Sequence, residues 1–103
     1  MTTNISDTNV YIVNKSSHDF SAAKQFGNII FLSEGPMNRY ATNNIHRVFN
    51  VVMRDSNKGD YIVPCSLNVM NSIASAIFAK KHGRVNLLLF KEGRYIERNI
   101  ILD

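Results

Sequence analysis

A single cysteine in 103 residues cannot form an internal disulfide, so nothing in the chain calls for an oxidising compartment. Long apolar runs are missing as well. The longest stop far short of the roughly 20 residues that a membrane helix needs. Residues 1–9 lack both the basic start and the apolar core of a signal peptide, and the expectation is a cytoplasmic protein without membrane attachment. Neither G-x-G-x-x-G nor a Walker A run is present, which removes the standard dinucleotide and P-loop modes of phosphate binding. The G-x-S-x-G nucleophile elbow is missing too. A cysteine phosphatase loop around Cys65 would want an arginine where Asn71 stands. No group of His, Cys, Asp and Glu has zinc-ligand spacing, so neither metal nor cofactor is expected.

What remains is an ordinary globular composition, with 45% hydrophobic and 19% charged residues. This length makes one domain large enough to bury a core without staples. The formal charge of +4 and pI near 9.5 suit an anionic partner, and also simple solubility. Small size together with missing catalytic motifs resembles the profile of a phage-type accessory protein, a likeness that assigns no residue.

Three times an apolar run enters a polar loop that opens a helix. Residues 10–13 (Val-Tyr-Ile-Val) lead into Asn14 to Asp19. Residues 29–32 lead into Ser33-Glu34-Gly35-Pro36, and residues 61–63 into Pro64 to Asn68. The continuous, β-branched character of the first run predicts a strand buried on both faces. A first helix is expected from Ser17 or Asp19, carrying Phe20, Ala23 and Phe26 inward and stopping at Gly27. The second is firmer, because Ile45, Val48, Phe49 and Val52 form one apolar stripe at helical spacing. In the third, Ser66 is the expected cap, Met70, Ile73, Ala74, Ile77 and Phe78 the buried stripe, and Gly83 the stop. Residues 85–90 read as a nearly all-apolar strand. Lys91-Glu92-Gly93-Arg94 makes a short hairpin loop, and residues 95–102 a fifth strand.

The order βαβαβαββ predicts a single small α/β domain of Rossmann-like or flavodoxin-like type over residues 10–103, after a polar lead-in at 1–9. Right-handed crossovers make four strands parallel. The expected sheet order is 2-1-3-4-5, with the last strand antiparallel.

In such a sheet the strand order reverses between strands 1 and 3, and ligands bind at that point on the carboxyl rim. The candidate ligand-binding residues are therefore Asn14, Lys15, Ser16, Ser17, His18, Arg39, Ser66 and Asn68. Small hydroxyl side chains let an anion approach, lysine and arginine neutralise it, and two helix N-termini would add their dipoles. An anionic small molecule, a nucleotide or another phosphorylated metabolite, is the expected partner of a non-catalytic domain. Helix caps alone account for much of the same pattern. Cys65 is expected to be a packed thiol. Tyr40 is expected to stack on a base or to pack on the sheet.

Two further functions compete. His18 and Glu34 are the weak catalytic candidates, as acid and base of a nucleotide hydrolase or transferase. Alternatively, the strand at 95–102 and its hairpin serve as an interaction or inhibitor module, through a homodimer or a captured partner strand. Nucleic acid is the less favoured partner. The cations Arg54, Lys58, Lys80, Lys81 and Arg84 fall on the opposite rim without interleaved aromatics.

Overall fold

The computed structural model describes residues 7–102. Within them, β1 (Asn9–Ile12), β2 (Asn28–Phe31), β3 (Tyr61–Val63), β4 (Arg84–Lys91) and β5 (Arg94–Ile101) form one mixed sheet in the order β2-β1-β3-β4-β5. The first four strands run parallel, and β5 runs antiparallel to β4. Two α-helices accompany them, α1 (Thr42–Val52) and α2 (Asn68–His82). The chain is thus a small α/β domain with a five-strand mixed sheet. Most of the expected lead-in lies outside the described residues, and Asn9 already belongs to β1.

Alternation along the strands divides the core. Tyr11, Val13, Leu32, Ile62 and Val85 face α1 and α2, packing with Ile45, Phe49, Met70, Ala74 and Phe78. Val10, Ile12, Val63, Leu88 and Tyr95 face the other way, onto Phe20 and Ala23. The run Val10–Val13 is buried throughout, as a strand packed on both faces must be.

The expected first α-helix is corrected. Ser21–Gln25 forms a five-residue 3₁₀ helix, and this single short turn covers only part of its face of the sheet. The inward residues Phe20, Ala23 and Phe26 recur every three positions, the period of a 3₁₀ helix rather than an α-helix. Gly27 then brings the chain back against Thr8, whose carbonyl accepts from the Asn28 N–H at 2.8 Å.

The ends of α2 follow the sequence at one terminus and depart from it at the other. Gly83 adopts a left-handed conformation (φ 71°) and donates to the Ala79 carbonyl. Lys81 reaches across to the Met53 and Arg54 carbonyls at the end of α1. At the start, however, Leu67 is the N-cap and no side chain caps the helix. Asn71 instead reaches back, its Oδ1 accepting from the Ser66 N–H and its amide donating to the Ser66 carbonyl.

On the rim opposite the strand carboxyl ends, the buried Ser56 hydroxyl lies 2.9 Å from Nε2 of His82. Burial, and then the charge of Lys81, lower the His82 pKa from 6.5. The unfolded chain therefore binds the proton more readily. Stability is full above the unfolded pKa and falls as pH drops through it toward the folded value. Urea unfolding at about pH 7.5 and about pH 5 should show a smaller acid loss in His82→Gln than in the wild type. Equal losses would contradict this.

At Gly27 an added Cβ would collide with the Thr8 carbonyl, whereas at Gly59 it would meet open space. Gly27→Ala should cost about 1–3 kcal/mol in urea unfolding, and Gly59→Ala under about 0.5 kcal/mol. Similar costs at the two positions would refute the close approach.

Candidate functional site

Three chain passages meet at the carboxyl rim of β1, β3 and β4. After β1 the loop turns outward at Asn14 and returns at Phe20. After β3, Pro64 has no N–H to extend the ladder, so the chain leaves the sheet at Cys65. Beyond β4, the two-residue turn Glu92–Gly93, both with positive φ (51° and 84°), sends β5 straight back and sets Tyr95 opposite Phe90. Positive φ at both central positions is the hairpin geometry that matches strand twist.

These passages enclose a cavity of about 470 Å³, lined by Ser16, His18, Phe20, Val63, Pro64, Cys65, Leu88, Leu89, Phe90 and Tyr95. Its walls are mainly aromatic and aliphatic, and no lysine, arginine, aspartate or glutamate lines it. The His18 ring stands edge-on to both Phe20 and Phe90, with centroids 4.8 Å away in each case. This exposed imidazole thereby joins the β1 loop to β4. Its position is fixed from below as well, because the His18 N–H donates to Ser16 Oγ at 3.2 Å.

Tyr95 is 5% exposed, and its hydroxyl is buried without a hydrogen-bond partner among the described residues. Burial raises the Tyr95 pKa, and the nearby Cys65 and Asp19 raise it further. The group therefore remains a neutral phenol, able to donate one hydrogen bond and to accept another. A buried hydroxyl left unpaired costs on the order of 1–3 kcal/mol, and this one lies behind the cavity lining, out of reach of solvent.

A second depression, of about 360 Å³, shares Ser16, His18 and Phe20 with the first and adds Lys15, Asp19, Ser21, Lys24, Ile29 and Phe31. Lys15 Nζ sits 5.5 Å from the centre of the Phe31 ring. Asp19 accepts from the Ser21 N–H at 2.9 Å, opening the 3₁₀ helix. That backbone bond, and then the Ser21 side chain, lower the Asp19 pKa.

The expected site residues thus divide. Ser16 and His18 lie between the two hollows, and Lys15 lies in the second. Arg39, Ser66 and Asn68 line a separate hollow of about 290 Å³ at the start of α2. The two loops are adjacent, since the Cys65 thiol donates to the Asn14 carbonyl at 3.6 Å. Their side chains nevertheless diverge. Ser66 Oγ turns to Met70 Sδ, and the Asn14 side chain accepts from Ser33 Oγ at 2.9 Å. Ser17 is exposed and lines none of these three hollows. With a 3₁₀ turn in place of the first helix, the expected pair of α-helix dipoles does not form.

Other expectations are corrected by exposure. Cys65 is an exposed thiol rather than a packed one, because Pro64 ends the strand before it. Tyr40 is 79% exposed, with Arg39 stacked 5.3 Å from its ring centre, and it does not pack on the sheet. Glu34 is exposed and lines neither hollow that His18 lines. The sequence reading missed Tyr95 and Phe90. The short hairpin loop, which sets residue 95 opposite residue 90, was the signal that could have located them.

The geometry defines a small α/β domain with a largely apolar cavity at the carboxyl rim of its parallel strands. The chain belongs to the Phage Pam3 gp32-like protein family, which matches residues 8–102. No curated protein and no solved structure matches it significantly. Among the described residues no helix is long and apolar enough to cross a membrane, and no three His, Cys, Asp or Glu side chains cluster to hold a metal ion.

Replacing Tyr95 with phenylalanine removes the unpaired hydroxyl and keeps the ring. Tyr95→Phe should leave the ligand-free protein as stable as the wild type or up to about 1 kcal/mol more stable in urea unfolding. A loss above about 1 kcal/mol would mean that the hydroxyl is already bonded.

Proposed function

We propose that this phage-family chain is a small non-catalytic binding domain for a compact ligand with an apolar or aromatic body and an anionic group. The reading rests above all on the 470 Å³ cavity at the carboxyl rim and on Tyr95 in its lining, whose buried hydroxyl has no partner among the described residues. In this reading the ring or apolar body fills the space beside Phe20, Leu88 and Phe90, and a polar ring atom takes the Tyr95 hydroxyl. The anionic group extends past His18 and Ser16 toward Lys15 and Lys24. A nucleotide or a similarly built phosphorylated small molecule combines these features. The sheet order supports this placement, because open α/β sheets bind ligands outside the strand carboxyl ends where the order reverses. In this reading the domain senses or sequesters the ligand, and Asp19, the carboxylate that shares the second hollow with His18, is held by the Ser21 N–H.

Thermal-shift measurements with nucleotides, the corresponding nucleosides and inorganic phosphate test the proposal. A ligand at a hundredfold excess over its Kd adds about 2.7 kcal/mol, which is several degrees in Tm for a domain of this size. The expected order is nucleotide above nucleoside, with inorganic phosphate giving no shift. Tyr95→Phe should weaken the best ligand about two- to tenfold. Lys15→Ala should weaken the nucleotide but not the nucleoside. Absence of any shift across the panel, or a shift indifferent to Tyr95→Phe, would overturn the reading.

A further inference from the structure

The outer edge of β5 has no strand beside it among the described residues, and its phase can be read from the bonds on either side. Leu102 donates its N–H inward to the Gly83 carbonyl at 3.0 Å, so even-numbered residues direct their amides at β4. In an antiparallel ladder the groups alternate, and Tyr95, Glu97, Asn99 and Ile101 therefore present theirs to the open edge. The Arg98 guanidinium confirms this phase by donating to the Glu97 carbonyl at 2.8 Å. On the helical face of the sheet β5 shows Arg94, Ile96, Arg98 and Ile100, cation alternating with aliphatic. Beside them Leu89 and Ile100 are 40% and 46% exposed.

A second copy fits this edge poorly. A twofold axis perpendicular to the sheet pairs residues of the same face. Centred on Glu97 it sets that carboxylate against its own copy, and centred on Arg98 it does the same with two guanidinium groups. Centred on Ile96 it opposes Arg94 and Arg98, while centred on Asn99 it sets Arg98 against Ile100 and Glu97 against Ile101. Like charges directly opposite each other on paired strands are destabilising, and charged edges discourage self-pairing.

We propose that β5 receives an extended strand of a partner protein, one that alternates acidic and aliphatic side chains on the face it adds beside α2. Its backbone bonds the free groups of Tyr95, Glu97, Asn99 and Ile101. Its carboxylates sit opposite Arg94 and Arg98 and draw the Arg98 guanidinium off the Glu97 carbonyl. Its aliphatic side chains cover Ile96 and Ile100. Main-chain pairing supplies affinity and the alternate side chains supply specificity. The Tyr95 side chain packs on the other face of the sheet, so only its backbone is shared with the rim cavity and the proposal does not rest on the ligand reading.

The test uses the full chain, labelled for amide NMR, and two synthetic peptides. One alternates Glu and Val on one face with Thr between them, and the other carries Lys in place of Glu. The acidic peptide should bind at least about fivefold more tightly. It should slow hydrogen exchange at Tyr95, Glu97, Asn99 and Ile101 above that at neighbouring loop amides. Arg94 and Arg98 are both exposed, so the Arg94→Glu, Arg98→Glu double variant should stay folded and invert the preference. Equal affinity for the two peptides, no binding at millimolar concentration, or protection confined to other amides would overturn the proposal. Concentration-dependent dimerisation that protects the same four amides would also overturn it, by making a second copy the occupant.

Discussion

A buried carboxylate holds the sheet in register. Asp60, 1% exposed at the entrance to β3, takes the Asn9 N–H on Oδ1 and the Asn57 N–H on Oδ2. Its own carbonyl, with that of Lys58, accepts from the amide of the buried Asn86 on β4. One residue thereby pins β1, β3 and β4 at one end. Burying a carboxylate is costly, and two direct backbone donors are what make this one tolerable. A slip of one residue along any of these strands would exchange its faces. Fixing this end therefore decides which side chains reach the other, where Val63, Leu88 and the β1 loop enclose the cavity.

The unequal cover of the two faces explains why the cavity exists. Two full α-helices pack on one side, whereas the other receives a five-residue 3₁₀ turn that touches β2 and β5. Phe20 and the His18 ring close part of the remaining gap, with Phe90 and Tyr95 folding in from the hairpin. The short turn also changes the chemistry on offer. Without an α-helix N-terminus after β1, the rim there carries a phenol, an imidazole and hydroxyl groups on an apolar wall. Lysines stand in the adjoining hollow rather than in the cavity itself.

Much of this was legible before any coordinates. The β-branched run at Val10, the stripe from Ile45 to Val52, the stop at Gly83 and the short turn at Glu92–Gly93 each carry a local physical cause. Together they imply the strand order and the antiparallel fifth strand. The first crossover departs from the α-helix expected there because Phe20, Ala23 and Phe26 are spaced by three, which suits a 3₁₀ turn. Site residues were harder. Asn14 and Ser66 have the composition of a ligand loop, yet their side chains are occupied by Ser33 and Met70. Tyr95 has the composition of a strand residue, and only the fold leaves its hydroxyl without a partner.

Crystals of the wild-type protein soaked with a library of small aromatic fragments test the central claim most directly. The account predicts fragments concentrated in the rim cavity, with a polar atom within hydrogen-bonding distance of Tyr95 Oη and the ring between Phe20 and Phe90. A cavity closed by movement of the β1 loop, with Tyr95 Oη bonded to protein and fragments bound only elsewhere, would contradict it.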